Sequence, residues 1–357
     1  MYTKKLTQLL LVAFLLNPGW SGFASAAGEE MVTRKAGESA DAYIKRLYEA
    51  AKKEGEVVYY HSANKSEVEA IRKGWNKLFP GIKLTEVEAS SGTILERALV
   101  EGRAGRVKAD VYGGAAGDQD ALAAEKLSAV YRSVNLDALD PNFRFEGKPY
   151  VATGYLSFHI AYNTKMVSKS EMPNKWEGFL DPKWKGKLAI DQEGHEWFCG
   201  ITTHMGKEKG LDFMRKLAAQ NPKLIRGSTH RTELLSAGSF PIALDLYGHR
   251  IKTFKDKGSP IDTLVPHPAP ITTVVDMASV MNGAPHPNAG RLLLEFFLTP
   301  EGQQVFLMQG KPGVRVKDVK HPYEELIRGS KLEVLAPETA DFNQCGRDFV
   351  NVFIRKR

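Results

Sequence analysis

The chain has 357 residues, of which 43% are hydrophobic and 25% charged; 49 Lys and Arg against 42 Asp and Glu give a formal net charge of +7. These proportions are those of a globular protein and exclude disorder, collagen-like repeats or coiled coil as the main architecture. At roughly 100–200 residues per domain, the length points to two or three domains, each able to bury its own core.

At the N-terminus, Lys4 and Lys5 precede an apolar run from Leu6 to Leu16, then Pro18-Gly19 and Ala24-Ser25-Ala26. This is the layout of a secretory signal over residues 1–26, with an apolar core too short to span a bilayer and no cysteine near the cleavage site for lipid attachment. Its removal takes away two lysines and no acid, lowering the net charge from +7 to +5. The remaining basic residues are scattered and show no run interleaved with aromatics, so nucleic acid is not the expected partner and only a mild preference for anionic ligands follows.

Beyond the signal, Ala40, Tyr43, Ile44, Leu47 and Ala51 recur at helical spacing up to Gly55. The β-branched and aromatic run Glu56 to Tyr60 reads as a strand, and Ser66-x-x-Glu69 as a capping box opening a helix that Pro80-Gly81 ends. The unit then repeats. Ile82 to Val87 is a strand, Ser90-Ser91-Gly92 a turn, Thr93-x-x-Glu96 a second capping box, and Ala109 to Tyr112 a third strand running into Gly113-Gly114. Such alternation implies a parallel α/β sheet, in which ligands sit beyond the carboxyl ends of the strands.

Residues 150–162, rich in aromatic and β-branched types, read as a strand leaving the first domain. A second α/β pattern follows: a strand at Lys187–Ile190, a helix around Leu211 to Leu217, and a strand at Phe240–Leu246. Pro266, Pro268 and Pro270 precede a return strand at Thr272–Val275, and helices at Ala289–Leu298 and after Pro300 complete the chain. Cys199 and Cys345 are the only cysteines and form no C-x-x-C pair. Export permits a disulfide, spacing does not decide it, and two separate buried thiols are the favoured reading.

Catalytic signatures are missing. His195-Glu196 does not continue as H-E-x-x-H, Gly200–Lys207 lacks the spacing of a phosphate loop, and no G-x-S-x-G elbow occurs. Polar and small residues instead recur at expected strand ends. Ser90, Ser91 and Gly92 offer hydroxyls and free backbone N–H groups to an anion at a helix start. Arg231 is placed to pair with a carboxylate or phosphonate, Tyr247 and His61 to hydrogen-bond a ligand or bind metal, and Asp276 to accept a ligand amine. Tyr155 falls in the crossover strand, and Glu193 and His195 in the cleft lining. Each also has an ordinary reading as a helix cap, a core edge, a turn or a surface group.

The segments E-G-E-V-V-Y-Y-H-S-A, A-S-S-G-T-I-L-E-R, A-D-V-Y-G-G and W-E-G-F-L-D-P-K-W-K-G-K-L-A-I, with the stretch from Ser236 through L-T-P-E-G-Q-Q-V-F, closely resemble periplasmic solute-binding proteins of ABC importers. The branch is the one that contains ferric-iron, 2-aminoethylphosphonate and polyamine binders. The resemblance implies a two-lobed type II periplasmic binding protein, α/β in class, with a crossover-strand hinge. Residues 27–154 would form lobe 1, 155–268 lobe 2, 269–320 the return to lobe 1, and 321–357 a C-terminal segment packing on the lobes. It further implies a periplasmic location, a monomer, a small-molecule solute held in the cleft, an inner-membrane ABC permease as partner, no cofactor and no catalysis.

For ferric binders the resemblance implies a His after the first strand, commonly a Glu after the third, and a Tyr-Tyr pair in the second lobe. His61 fits the first, but Gly114-Ala115 occupies the Glu region and Leu246-Tyr247-Gly248 replaces the tyrosine pair, leaving His61 and Tyr247 as the iron ligands. The expected solute is therefore a small anionic or zwitterionic organic molecule of phosphonate or carboxylate type. Ferric iron is the alternative, and a secreted α/β hydrolase or transferase is a remote third reading.

Overall fold

The computed structural model describes residues 31–355 apart from 64, 309–311, 320–322 and 337–339; the expected signal lies outside the described residues. Helix α1 (Ala40–Glu54) starts where the Ser39 side chain accepts the Ala42 N–H at 3.2 Å. It ends at Gly55, whose φ of 77° is the left-handed conformation that favours glycine. Its buried positions Tyr43, Leu47 and Ala51 recur every four residues, so one stripe faces the core.

Next come strand β1 (Glu56–His61), helix α2 (Lys65–Leu78), strand β2 (Lys83–Glu88), helix α3 (Ser91–Arg103), strand β3 (Val111–Ala115) and helix α4 (Ala116–Ala124). β1 pairs in parallel with both β2 and β3, as the alternating pattern requires. Neither capping box is where the sequence suggests, since α2 starts at Lys65 and already includes Ser66. α3 begins at Ser91 rather than Thr93, with Ser90 as N-cap making no side-chain cap bond; the Ser90 and Thr93 hydroxyls bond each other at 2.8 Å instead.

The long strand β4 (Val151–Asn163) carries the chain away from the first core. Val151, Ala152 and Tyr155 pack with the core around Trp75, Phe296 and Phe297, whereas Phe158, Ile160 and Tyr162 belong to a second core around Trp176, Trp197 and Phe213. Strands β5 (Leu188–Ile190), β6 (Lys223–Leu224), β7 (Ile242–Tyr247) and β8 (Ile261–Thr263) follow, with helices α5 (His195–Met205), α6 (Lys207–Ala219), α7 (Ser228–Ser236) and α8 (Gly248–Asp256). Strand β9 (Ile271–Val280) brings the chain back: Val275, Met277, Ala278 and Val280 lie in the first core while Val274 packs against the second. The strand order is β2-β1-β3-β9-β4-β7-β5-β6. Because β9 runs in the opposite direction, it pairs antiparallel with both β3 and β4, so the sheet is mixed rather than purely parallel.

Helix α9 (Pro287–Leu298) is buried on every side, and α10 (Pro300–Met308) follows. Two polar side chains fix this region because every group they bury is satisfied. Glu295 accepts from Tyr131 Oη at 2.5 Å, Ser133 Oγ at 2.7 Å, Val134 N at 2.9 Å and Asn135 Nδ2 at 2.8 Å. Gln303 donates to the Thr153 and Phe297 carbonyls and accepts from Val314 N and Arg315 N.

The C-terminal segment then adds helix α11 (Glu324–Ile327), strand β10 (Leu332–Leu335), parallel to β9, and helix α12 (Phe342–Phe349), followed by a π-helical turn at Val350–Ile354. Cys345 in α12 is bonded to Cys199 in α5, with Cα atoms 5.3 Å apart, and Phe349 and Phe353 pack against Phe198. This corrects the favoured reading of two separate thiols. The sequence places the two cysteines 146 residues apart, and only the docking of α12 on the second core brings them within reach.

Candidate functional site

β1 ends at His61, and β3 ends in Gly113-Gly114-Ala115, so the carboxyl ends of two parallel neighbours open on the same side. There a pocket of about 70 Å³ is lined by His61, Ser62, Glu67, Gly113, Gly114, Thr153 and Asp276. By this measure it holds several waters, or the polar head of a small solute. The glycines create the space. A Cβ on Gly113 would fall 2.2 Å from Tyr59 Oη, and one on Gly114 2.5 Å from Asp118 Oδ2.

His61 is 1% exposed and stacks on Tyr59 with ring centroids 4.8 Å apart. Its Nδ1 accepts the Ala63 backbone N–H at 3.2 Å. Burial pushes its pKa down, against the charge of Glu88, so the imidazole is held neutral. A neutral ring with an acceptor at Nδ1 carries its proton on Nε2. That Nε2–H is buried and has no hydrogen-bond partner among the described residues. The pocket therefore presents a donor to whatever enters it.

Ser90, Ser91 and Gly92 are exposed at the start of α3, next in space to β1 through the Ala89 N to His61 O bond at 3.3 Å. Ser91 Oγ donates to Asp118 Oδ2 at 2.9 Å, and Tyr112 Oη donates to the same oxygen at 3.1 Å. Asp118 was not foreseen as a site residue. Its only sequence signal is its place as the third residue of α4, where a carboxylate reaches back to the N-cap amide.

On the side of the second core, Tyr247 ends β7, with its ring stacked on His249 at 5.7 Å and its amide donating to Ser228 Oγ at 3.3 Å. Burial and then the charge of Glu196 push its phenol pKa up, so it is a neutral hydroxyl rather than a phenolate. Glu196, in the first turn of α5, is itself pushed up by burial, with His195 opposing and Asp276 adding to the shift. The Asp276 charge on β9 is thus felt at Glu196 on α5. Glu193 is exposed and paired with Arg226 at 3.2 Å, and its carbonyl meets His195 Nδ1 at 2.9 Å.

Two expected residues lie elsewhere. Arg231 is not at a strand end but inside α7, 1% exposed. Its guanidinium is occupied by the Asp191 carboxylate, the Ile225 and Asp245 carbonyls at 3.1 and 3.0 Å, and Asp245 Oδ1 at 3.3 Å. Tyr155 stacks on Phe143 at 4.8 Å and lines a separate cavity of about 1020 Å³ with Asp140 and Leu307, which shares no residue with the pocket at His61. The larger volume has a mixed lining that includes Gln304 and Glu324; the smaller one sits where an α/β sheet builds its site.

Among the described residues no three His, Cys, Asp or Glu side chains converge as a metal site, and no helix is long and apolar enough to cross a membrane. A profile described as bacterial extracellular solute-binding protein matches residues 115–329, more than half of the chain. The chain belongs to this family. Members of the solute-binding family capture small molecules for ABC importers and are not an enzyme family. Among curated proteins, an uncharacterised protein of Haemophilus influenzae is 25% identical over 276 residues, 73% of this chain and 78% of that one.

Solved structures with the same type II binding-protein fold include iron-bound HitA from Pseudomonas aeruginosa, with a TM-score of 0.70 at 20% identity over 83% of this chain and 99% of that one. AfuA from Actinobacillus pleuropneumoniae, with fructose-6-phosphate bound, has a TM-score of 0.65 at 20% identity, covering 84% and 98%. A Trichodesmium protein, IdiA or FutA, in complex with iron and citrate, has a TM-score of 0.71 at 16% identity, covering 84% and 99%. This solute-binding protein thus shares its fold with carriers of different cargo, and the choice of cargo rests on its own pocket.

Proposed function

We propose that this protein works in the periplasm, delivering a small organic anion or zwitterion of carboxylate or phosphonate type to an inner-membrane ABC permease. The observation that carries the choice of solute is the buried Nε2–H of His61, which has no partner among the described residues. Leaving such a donor without an acceptor costs about 1–3 kcal/mol, and an acceptor oxygen on the solute removes that cost. Ferric iron would need the lone pair of Nε2, which the Ala63 N–H at Nδ1 denies to the neutral ring. Iron would also have to displace the Tyr247 phenol proton, which burial and the charge of Glu196 make harder to lose.

The two cores joined by β4 and β9 support closure about those strands, with Glu193, His195 and Tyr247 meeting the solute from the second core and His61 and Asp276 from the first. A thermal-shift screen over carboxylates, phosphonates, amino acids and ferric chelates tests the reading. A solute at about 100 times its dissociation constant stabilises by about 2.7 kcal/mol. We expect that gain from an organic acid in wild type, and loss of about tenfold or more in affinity in His61→Phe, with His61→Gln restoring much of it through its amide N–H. Stabilisation by ferric iron alone, with a visible tyrosinate band, would contradict the proposal.

A further inference from the structure

A cavity of about 1020 Å³ lies beside the crossover strand β4, bordered by the turn at Pro141–Phe143, the end of α10, the segment from Gly313 to Val319 and α11. That volume matches the upper end of small-molecule sites, roughly 300–1,000 Å³. Paired backbone frames it. The Tyr155 amide donates to the Pro312 carbonyl at 3.0 Å, the Asp140 amide to the Val314 carbonyl at 2.8 Å, and Gly154 bridges to Gly313.

The lining divides by chemistry. Phe143, Leu307, Val316, Val319 and Ile327 give it an apolar wall. Tyr155 is 5% exposed, and its ring is fixed by stacking on Phe143 at 4.8 Å. Its hydroxyl has no hydrogen-bond partner among the described residues, so an occupant of the cavity is what can satisfy it. Asp140 and Glu324 add two carboxylates, and Asp140 Oδ1 is held in place by the Asn142 amide at 2.8 Å. Burial and then the charge of Asp140 push the Tyr155 phenol pKa up, so that carboxylate is within electrostatic reach of the hydroxyl. Neither carboxylate has an ion-pair partner among the described residues, and no Lys or Arg stands among the described residues that line the cavity.

We propose that this cavity is a second ligand site, separate from the His61 pocket, and that it takes an amphipathic amine: a small molecule whose protonated nitrogen meets the Tyr155 oxygen, Asp140 and Glu324 while its apolar body lies along Phe143, Leu307 and Val316. An ammonium group only donates, and the phenol oxygen and both carboxylates accept, so one charge matches all three. An anion of the same shape would face two like charges, and a neutral alcohol would forgo the Coulomb attraction. The site stands whatever solute the His61 pocket carries, since the two share no lining residue.

Three probes of one shape test this: 4-phenylbutylamine, 4-phenylbutanol and 4-phenylbutyrate at pH 7.5, titrated by calorimetry into wild type, Tyr155→Phe, Glu324→Gln and Val316→Trp. Tyr155→Phe removes only the hydroxyl and keeps the stack on Phe143. Glu324 and Val316 are exposed, so changing them spares the core, and melting curves report the folding of each variant. The amine should bind wild type at least about tenfold tighter than the alcohol, with the acid weakest. Its affinity should fall about fivefold or more in Tyr155→Phe and about twofold to fivefold in Glu324→Gln. Val316→Trp, which places an indole at the apolar wall, should weaken all three probes. No binding of the amine to wild type, equal affinity for the three probes, or amine binding that none of the variants weakens would each overturn the proposal.

Discussion

Replacing Arg231 by Ala tests whether this residue is structural or meets the solute. The side chain is 1% exposed and lies against Asp245, which is 0% exposed and also accepts the Asp191 amide at 2.8 Å. Burial pushes the Asp245 pKa up to about 6 from 3.8, with Arg231 pulling the other way. Truncation removes the guanidinium bonds to Asp191, Ile225 and Asp245 and leaves a buried carboxylate without its cation. Breaking a buried pair from one side costs about 3–5 kcal/mol. The sign with pH follows from the raised pKa. The folded state binds a proton that the unfolded state has released between roughly pH 4 and 6, so ionised Asp245 opposes folding above pH 6 and less so below.

Without Arg231 the pKa of Asp245 rises further, so the deficit of the variant is largest at pH 7.5 and shrinks at pH 5. Urea unfolding followed by tryptophan fluorescence at the two pH values measures this, and adding Asp245→Asn to the variant should recover part of the loss. Solute affinity of the folded fraction should stay within about twofold of wild type, since no direct hydrogen bond to solute is removed. A variant of wild-type stability at both pH values, or one that folds normally yet no longer binds, would refute the reasoning.

Further outcomes follow from other parts of the fold. Removing the Cys199–Cys345 bond by Cys345→Ser should lower stability by about 2–5 kcal/mol, because the bond closes a loop of 146 residues; an unchanged melting temperature under reducing and oxidising conditions alike would count against it. His159 and His267 are buried and held neutral, with pKa values pushed down to about 3 and about 4 from 6.5 by burial first. Their contribution is complete above about pH 6.5 and is lost as pH falls towards those values; His61 acts in the same direction, while the raised carboxyls of Asp245, Glu196, Asp110 and Asp118 oppose it. Urea titrations from pH 7.5 to 4 should show stability lost more steeply with falling pH in wild type than in His159→Phe, and equal slopes would contradict this assignment. Gly302→Ala would place a Cβ 2.0 Å from the Phe296 carbonyl oxygen, so α10 must shift from α9 at a cost of about 3 kcal/mol; a melting temperature equal to wild type would show that this contact is relaxed.

Much of the first core was legible because its elements carry one clear period each. α1 shows a four-residue stripe ended by a left-handed glycine, and β1 and β3 are short apolar runs that lead into small residues. α5 was not legible: Trp197 to Thr202 are buried consecutively, so no polar face marks the helical period. Arg231 misled for a related reason. An arginine at a turn signal reads as a ligand clamp, and only the tertiary packing of α7 beside β5 and β7 shows Asp191 and Asp245 already holding it.

His61 stood out as a polar residue ending a strand, but its tautomer depends on the Ala63 amide and could not be read from spacing. Asp118 was hidden because its meaning arises from Ser91, 27 residues earlier, meeting it across β3.

Native mass spectrometry of protein purified gently from a bacterial lysate, wild type beside His61→Phe, tests the central claim most directly. The account predicts a metal-free adduct whose mass is that of a small carboxylate or phosphonate, present on wild type and lost or strongly depleted on the variant. An iron adduct on wild type, or the same organic adduct at equal occupancy on both proteins, would contradict it.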